Sequence, residues 1–294
     1  MPLQRSLHVV LSSLLLLLFT ACAGREVTPI PVEPPRKALK VALVLGAGAA
    51  KGFAHVGVLK VLEANHVPIH MVVGTSVGSF VGSLYAYGYS AYDLQKIAMG
   101  LEKGEIADLT VPDNGFVKGE KLEAYVNRMV RGTTMEKLRI PFYAVATDIG
   151  SGQEMVFGKG NTGSAVRASC SIPGVFRPVR IGDRTYVDGG VVSPVAVDAA
   201  RRLGADVVIA VDISKGVSGA IPDSTLDTIF QSINVMYSKI AAAQLPRADV
   251  VIQPKVGYIA SGDFTKRHEA ILEGEKAAQA ALPKILQLLG EHTR

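Results

Sequence analysis

Two glycine-rich turns, each set between an apolar run and a helical pattern, constrain this chain more than any other feature. Val41–Leu45 is a short run of β-forming residues, followed by Gly46-Ala47-Gly48-Ala49-Ala50-Lys51-Gly52. Residues 53–65 then carry apolar side chains at helical spacing, with Val58, Leu59 and Leu62 facing inward and Lys60 and Glu63 outward. A second apolar run at 71–73 leads into Gly74-Thr75-Ser76-Val77-Gly78, and Val77–Tyr87 carries the next helix. Strand, glycine turn, helix, repeated, is the grammar of a mostly parallel sheet covered by helices. Later β-rich runs at 142–146, 185–187, Val207–Val211 and Val250–Ile252 alternate with helical patterns around 121–130, 195–203, 226–244 and 264–289. No repeat and no linker-like stretch follows Leu39, so residues 39–294 read as one α/β domain.

Ahead of that domain, Arg5 precedes an uncharged stretch over residues 6–24, apolar at its centre (14–19) and passing through Thr20-Ala21-Cys22. A basic start, a short apolar run and small residues at the cut have the form of a secretory signal, expected here over residues 1–21. The apolar core is shorter than the ~20 residues of a membrane-spanning helix. A cysteine directly after small residues resembles the bacterial lipobox, with Phe19 standing where leucine is usual. In lipoproteins that cysteine is acylated and becomes the mature N-terminus, so Cys22 is the expected lipidation site; several acyl chains on one residue give stable anchoring. Ala23 behind it, rather than aspartate, implies sorting to the outer membrane, facing the periplasm. Residues 22–38, with Pro29, Pro31, Pro34 and Pro35, are expected to form an extended tether. The alternative is an ordinary signal or an uncleaved anchor in which Cys22 is incidental.

Composition removes other classes. Cys22 and Cys170 are the only two cysteines, too few for a disulfide framework or a cysteine zinc site. The formal net charge of +5 is small and the charges are mixed along the chain, so the basic stripe of a nucleic-acid reader is missing.

The second turn fits G-x-S-x-G between a strand and a helix, the context in which a nucleophilic serine is held on a sharp, strained bend whose neighbours must be small. Gly74 and Gly78 supply that smallness, and the helix N-terminus aims its positive end at Ser76. On the pentapeptide alone, a simple strand-to-helix connection is the alternative. The first turn offers backbone N–H groups as an anion site, either an oxyanion hole or a dinucleotide pyrophosphate cradle. The dinucleotide reading wants an acidic residue about 20 positions beyond the motif, and here the second strand ends in Gly74-Thr75-Ser76 instead.

A nucleophilic serine needs a base. In the order Ser, Asp, His only His268 and His292 follow it, one among Lys266, Arg267 and Glu269 and the other at the terminus; His55 reads as a packing or hydrogen-bonded residue. Three aspartates at strand ends, Asp148, Asp188 and Asp212, could each face the crevice at the carboxyl edge of a parallel sheet. Asp188 is followed by Gly189-Gly190, which permits a tight turn, but spacing does not choose among the three.

Gly46–Gly52, Gly74–Gly78 and Asp188-Gly189-Gly190, with Ala144-Val145-Ala146-Thr147-Asp148, the run VRASCSIPG at 166–174 and YVDGGVVSP at 186–194, together resemble the patatin-like phospholipases. The similarity covers most of residues 40–213 and is loose beyond. It implies a three-layer α/β/α sandwich with a mostly parallel central sheet, and a Ser–Asp dyad hydrolase with no metal, cofactor or catalytic histidine. Ser76 would match the nucleophile and Asp188 the base. The first turn would match the family's oxyanion loop of three glycines, one residue, a basic residue and glycine. Aligned on Lys51 and Gly52, Ala47 and Ala49 replace two of the three glycines, and Gly48 and Ala49 are the expected donors. Lys51 would hold an anionic head group or the loop itself. Phe80, Leu84, Phe116 and Val117 are candidate walls for an acyl chain or ordinary core; Cys170 reads as core; Asp148 and Arg167 would support the site or form an ion pair. The function so implied is phospholipase A or lysophospholipase activity on membrane phospholipids or lysophospholipids, with no nucleic-acid partner, at the bacterial cell envelope. A non-catalytic lipid-binding lipoprotein and a dinucleotide-dependent oxidoreductase are the alternatives.

Overall fold

A computed structural model describes residues 39–110, 115–214, 216 and 221–293; the expected signal peptide, Cys22 and the tether lie outside the described residues. In chain order the first elements are β1 (Val41–Leu45), α1 (Phe53–Ala64), β2 (Met71–Thr75), α2 (Val77–Tyr87), α3 (Ala91–Gly100), α4 (Lys103–Ile106) and α5 (Glu120–Met129). They are followed by β3 (Phe142–Asp148), β4 (Glu154–Phe157), α6 (Thr162–Ser169), β5 (Val179–Ile181), β6 (Arg184–Asp188), α7 (Val197–Arg202), β7 (Val207–Val211), α8 (Thr225–Gln244), β8 (Val250–Ile252) and α9 (Arg267–Thr293).

The strands form one sheet in the order β5-β6-β3-β2-β1-β7-β8, with β4 paired to β3. Strands β8, β7, β1, β2 and β3 run parallel; β4, β5 and β6 are antiparallel additions at the β3 end. β1 is apolar at every position because it is covered on both faces. Its side chains alternate: Val41, Leu43 and Leu45 enter the core shared with α1 and α2, whereas Ala42 and Val44 enter a second core against α7. Two apolar layers on either side of one sheet make the fold a three-layer α/β/α sandwich.

The antiparallel strands create the feature on which the site depends. β4 occupies one edge of β3 from Ala144 to Thr147. β2 and β6 therefore share the opposite edge, β2 paired up to Val145 and β6 from Ala146 onward. One strand runs up that edge and the other runs down it, and they meet head to head. Ser76 follows the last residue of β2, and Asp188 is the last residue of β6. Asp188 thus comes from an antiparallel strand that runs inward from the carboxyl edge, not from the carboxyl end of a parallel strand as the sequence suggests.

Several elements differ from the sequence-based expectation. β2 extends through Thr75 and β3 through Asp148, because both strands stay buried and paired to those points. β4, β5, α3, α4 and α6 are not among the expected elements, although α3 buries Ala91, Leu94 and Ala98 at helical spacing behind a Ser90 cap. β4 is half-buried at each of its four positions, so its apolar and polar residues do not alternate in a way that marks a face.

Candidate active site

The serine turn is a bend that few sequences could hold. Ser76 has φ 55° and ψ −128°, a conformation costly for a residue with a Cβ. Its neighbours must be glycine: a Cβ on Gly78 would lie 2.0 Å from the Leu45 carbonyl oxygen, and one on Gly74 would lie 2.5 Å from the Gly78 carbonyl oxygen. The bend is clamped by hydrogen bonds. The Ser76 amide donates to Ser169 Oγ at 2.9 Å, and that hydroxyl donates to the Val145 carbonyl at 2.6 Å. The Ser76 carbonyl accepts from Ser79 Oγ at 2.6 Å and from the Ser79 amide at 2.8 Å.

Across the strand junction, Ser76 Oγ donates to Asp188 Oδ2 at 2.5 Å. Asp188 Oδ1 accepts from the Gly190 amide at 2.7 Å and from the Tyr237 hydroxyl at 3.0 Å. The Asp188 backbone is fixed as well, its amide donating to the Ser171 carbonyl at 2.8 Å and its carbonyl accepting from Thr147 Oγ1 at 2.9 Å. The carboxylate is completely buried, and loss of hydration pushes its pKa up to about 6 although all three donors favour the charged form. A buried carboxylate of raised basicity, aimed at a serine hydroxyl, can accept that proton near neutral pH. Cys170 also lies against this site, 3.8 Å from Ser79 Oγ; burial and the Asp188 charge push its thiol pKa up, which leaves it protonated.

The glycine loop lies beside the same cavity. The Gly46 amide donates to the Val211 carbonyl at 3.0 Å, Ala47 to Pro194 at 2.9 Å, Ala50 to Ser261 at 3.1 Å and Lys51 to Gly48 at 3.1 Å. Among the described residues the amides of Gly48 and Ala49 have no such partner, and Ala49 lines the cavity onto which Ser76 opens. Ala49 holds the left-handed conformation, φ 50°, at a position where the side chain is tolerated but strained. His55 braces the loop from behind: it is fully buried, burial lowers its pKa to about 4, and its neutral ring donates from Nε2 to the Gly46 carbonyl at 2.8 Å. Lys51 points away from Ser76, donating at 3.5 Å to Asn234 Oδ1 beside a separate polar cavity of about 230 Å³. Burial lowers its basicity against the opposing charge of Asp212.

Ser76 and Ala49 open onto an apolar cavity of about 280 Å³ whose walls include Phe80, Leu84, Val117, Phe176 and Phe264. Of the four residues proposed as its walls, Phe80, Leu84 and Val117 line it and Phe116 does not. The profile of the patatin-like phospholipases matches residues 43–201, a segment holding the loop, the serine bend and Asp188.

The chain belongs to the patatin-like phospholipase family.

Among proteins similar to it, an NTE family protein of Mycobacterium tuberculosis is 32% identical over 206 residues, 69% of this chain and 57% of that protein. Lysophospholipase nte1 of Aspergillus fumigatus is 31% identical over 243 residues, 79% of this chain and 16% of the fungal protein. The chain therefore spans little more than half of one relative and a small part of the other. Among solved structures, VipD from Legionella pneumophila superposes with a TM-score of 0.58 at 14% identity, over 87% of this chain and 67% of VipD, a likeness of fold.

Within this patatin-like domain the other candidates fall away from the serine. Asp148 and Arg167 do not pair with one another: Asp148 accepts from Arg184 at 3.3 Å, and Arg167 donates to Glu123 at 3.0 Å and to the Lys118 carbonyl at 2.8 Å. Asp212 accepts from Ser214 and, at 2.9 Å, from Gln253, on the far side of the loop with Lys51 and His55. His268 is exposed on α9, and the side chain of His292 lies outside the described residues. Gly189 and Gly190 both pack tightly, Gly189 against the Val145 carbonyl and Gly190 beneath the Tyr237 ring. Sequence reasoning missed Ser169 and Tyr237. Tyr237 lies beyond the matched segment, and its one signal is a buried stripe on α8, Ile233, Tyr237, Ala241 and Gln244, in which a hydroxyl and an amide stand among apolar residues.

Proposed function

We propose that the chain is a serine acyl hydrolase of the phospholipase A or lysophospholipase type, cleaving fatty acyl esters of membrane lipids with Ser76 as nucleophile and Asp188 as base. The observation that carries this reading is the 2.5 Å hydrogen bond from Ser76 Oγ to Asp188 Oδ2 at the wall of an apolar cavity. An acyl chain in that cavity brings its ester carbonyl to the serine. Asp188 takes the hydroxyl proton as Oγ attacks the carbonyl carbon, and the negative charge that develops on the carbonyl oxygen is met by the Gly48 and Ala49 amides. Protonation of the leaving oxygen by Asp188 releases the lysolipid or glycerol head. A water then gives its proton to Asp188 as it attacks the acyl-serine, and Asp188 returns that proton to the departing Ser76 Oγ, which frees the fatty acid and restores both residues. Preorganised donors of this kind are typically worth ~10²–10³ each in rate. The unpartnered Gly48 and Ala49 amides speak against a non-catalytic lipid carrier, since the loop keeps donors despite its two alanines.

We further propose that Cys22 is acylated after removal of residues 1–21, and that residues 22–38 tether the hydrolase to the outer membrane facing the periplasm, beside its phospholipid substrate. Incorporation of labelled palmitate is expected in the wild type and absent in Cys22→Ala; label retained by the variant refutes the anchor.

The test of the chemistry is a fluorophosphonate probe with a parallel assay of fatty-acid release from phospholipid and lysophospholipid. Wild type is expected to be labelled and active, and Ser76→Ala to lose both. Hydrolysis persisting in the variant rejects the assignment.

A further inference from the structure

We propose that Tyr237 is a positioning residue for the reaction: its buried hydroxyl, donated to Asp188 Oδ1, turns the carboxylate so that Oδ2 faces Ser76, and sets how readily that carboxylate takes the serine proton. The proposal rests on the dyad reading above and adds a member from α8, a helix outside the segment by which the family is matched.

A carboxylate on a short side chain can rotate, and the two donors on Oδ1 stop it. One is local, the Gly190 amide two residues on, at 2.7 Å. The other is tertiary, the Tyr237 hydroxyl at 3.0 Å, from 49 positions along the chain. With Oδ1 so occupied, Oδ2 is left for Ser76.

The helix that brings Tyr237 is itself tied to the segment behind Asp188. Gln244, on the same buried stripe, accepts from the Val195 amide at 3.2 Å and donates to Ser193 Oγ at 3.2 Å. The Ser193 carbonyl in turn accepts from Thr75 Oγ1 at 2.9 Å, one residue before the nucleophile. The Tyr237 ring lies over Gly190 so closely that a Cβ there would come within 2.2 Å of it. Tyrosine, bend and base are thus held by one network.

The titratable side chains that face Asp188 are Ser76 at the start of α2, Cys170 at the end of α6 and Tyr237 on α8. Burial, followed by the Asp188 charge, raises the phenol pKa well above its usual value, so Tyr237 stays a neutral donor through the working range. A donor favours the charged form of its acceptor. Removing it raises the proton affinity of Asp188, and the acid limb of the rate profile must move to higher pH.

The experiment compares wild type with Tyr237→Phe, which keeps the ring over Gly190, in the full chain. Readouts are kcat, KM and the pH dependence of kcat/KM for ester hydrolysis, the rate of fluorophosphonate labelling against pH, and a thermal melt at neutral pH. The expected result is an acid limb moved up by about one pH unit, as for loss of a hydrogen bond to a charged group. With it, kcat falls ~10-fold while KM changes less than ~2-fold, since orientation of the base is used only in the chemical step. An unmoved acid limb, or a rise in KM at constant kcat, overturns the role of Tyr237. Wild type that neither hydrolyses esters nor reacts with the probe at any pH instead refutes the dyad reading on which the role rests.

Discussion

Replacing Asp188 by asparagine should make the protein inactive and, at neutral pH, more stable. The carboxylate sits at zero exposure with a pKa raised from 3.8 to about 6, so its charged form is less favourable in the fold than in the unfolded chain. A rise of that size corresponds to about 3 kcal/mol. Asparagine keeps the shape: Oδ1 still accepts from Gly190 and Tyr237, and the amide nitrogen faces Ser76 Oγ as a donor. The sign follows from the two ionisations. Below the unfolded value the aspartate is protonated in both states and nothing is lost. Between 3.8 and about 6 the unfolded chain gives up its proton while the folded chain keeps it, so native stability falls as pH rises, and above about 6 the loss is complete. Asp188→Asn should therefore exceed wild type by about 3 kcal/mol at pH 8 and by about half that at pH 5. Urea unfolding at the two pH values measures the difference, and a melt should show it as a Tm rise of about 6–10 °C at pH 8. Equal stabilities at pH 8, or a larger difference at pH 5 than at pH 8, refute the argument that the Asp188 carboxylate is held in its site at a cost.

Two further outcomes follow from the turns. Gly78→Ala drives a Cβ to within 2.0 Å of a backbone oxygen in β1, which cannot swing aside as a side chain would. A loss of about 3 kcal/mol in urea unfolding is expected, and a wild-type midpoint refutes it. Ala49→Gly removes a left-handed alanine, which costs about 1–2 kcal/mol, but adds freedom to the unfolded chain worth about 0.5–1 kcal/mol. A net gain near 0.5 kcal/mol with hydrolysis retained is expected; a loss of activity shows that the methyl group shapes the cavity.

The parallel half of the sheet was legible in the sequence because β1, β7 and β8 are continuous apolar runs bounded by turns, and they begin and end where the pattern does. The serine bend was legible for a steric reason, since glycines at 74 and 78 are demanded by backbone contacts. The antiparallel half was not. β4 and β5 are short and half-buried or exposed at most positions, and α6 is a Thr-Gly-Ser-Ala segment whose propensity argues against a helix that packing nevertheless enforces. For the same reason local spacing left Asp148, Asp188 and Asp212 equivalent, and within the sequence only the family resemblance singled out Asp188. The choice among them is made by strand direction, which no local pattern encodes. Tyr237 was hidden differently: a tyrosine on an apolar helix stripe reads as packing until the partner of its hydroxyl is seen.

The abutting ends of β2 and β6 carry one consequence for how such a domain can diversify. The spacing between Ser76 Oγ and Asp188 Oδ2, on which the proposed mechanism rests, is dictated by hydrogen-bond ladders on a common neighbouring strand, not by the segments that line the apolar cavity. Insertions or exchanges along the rim can reshape what is admitted without retuning the chemistry, whereas a slip of a single rung would extinguish it.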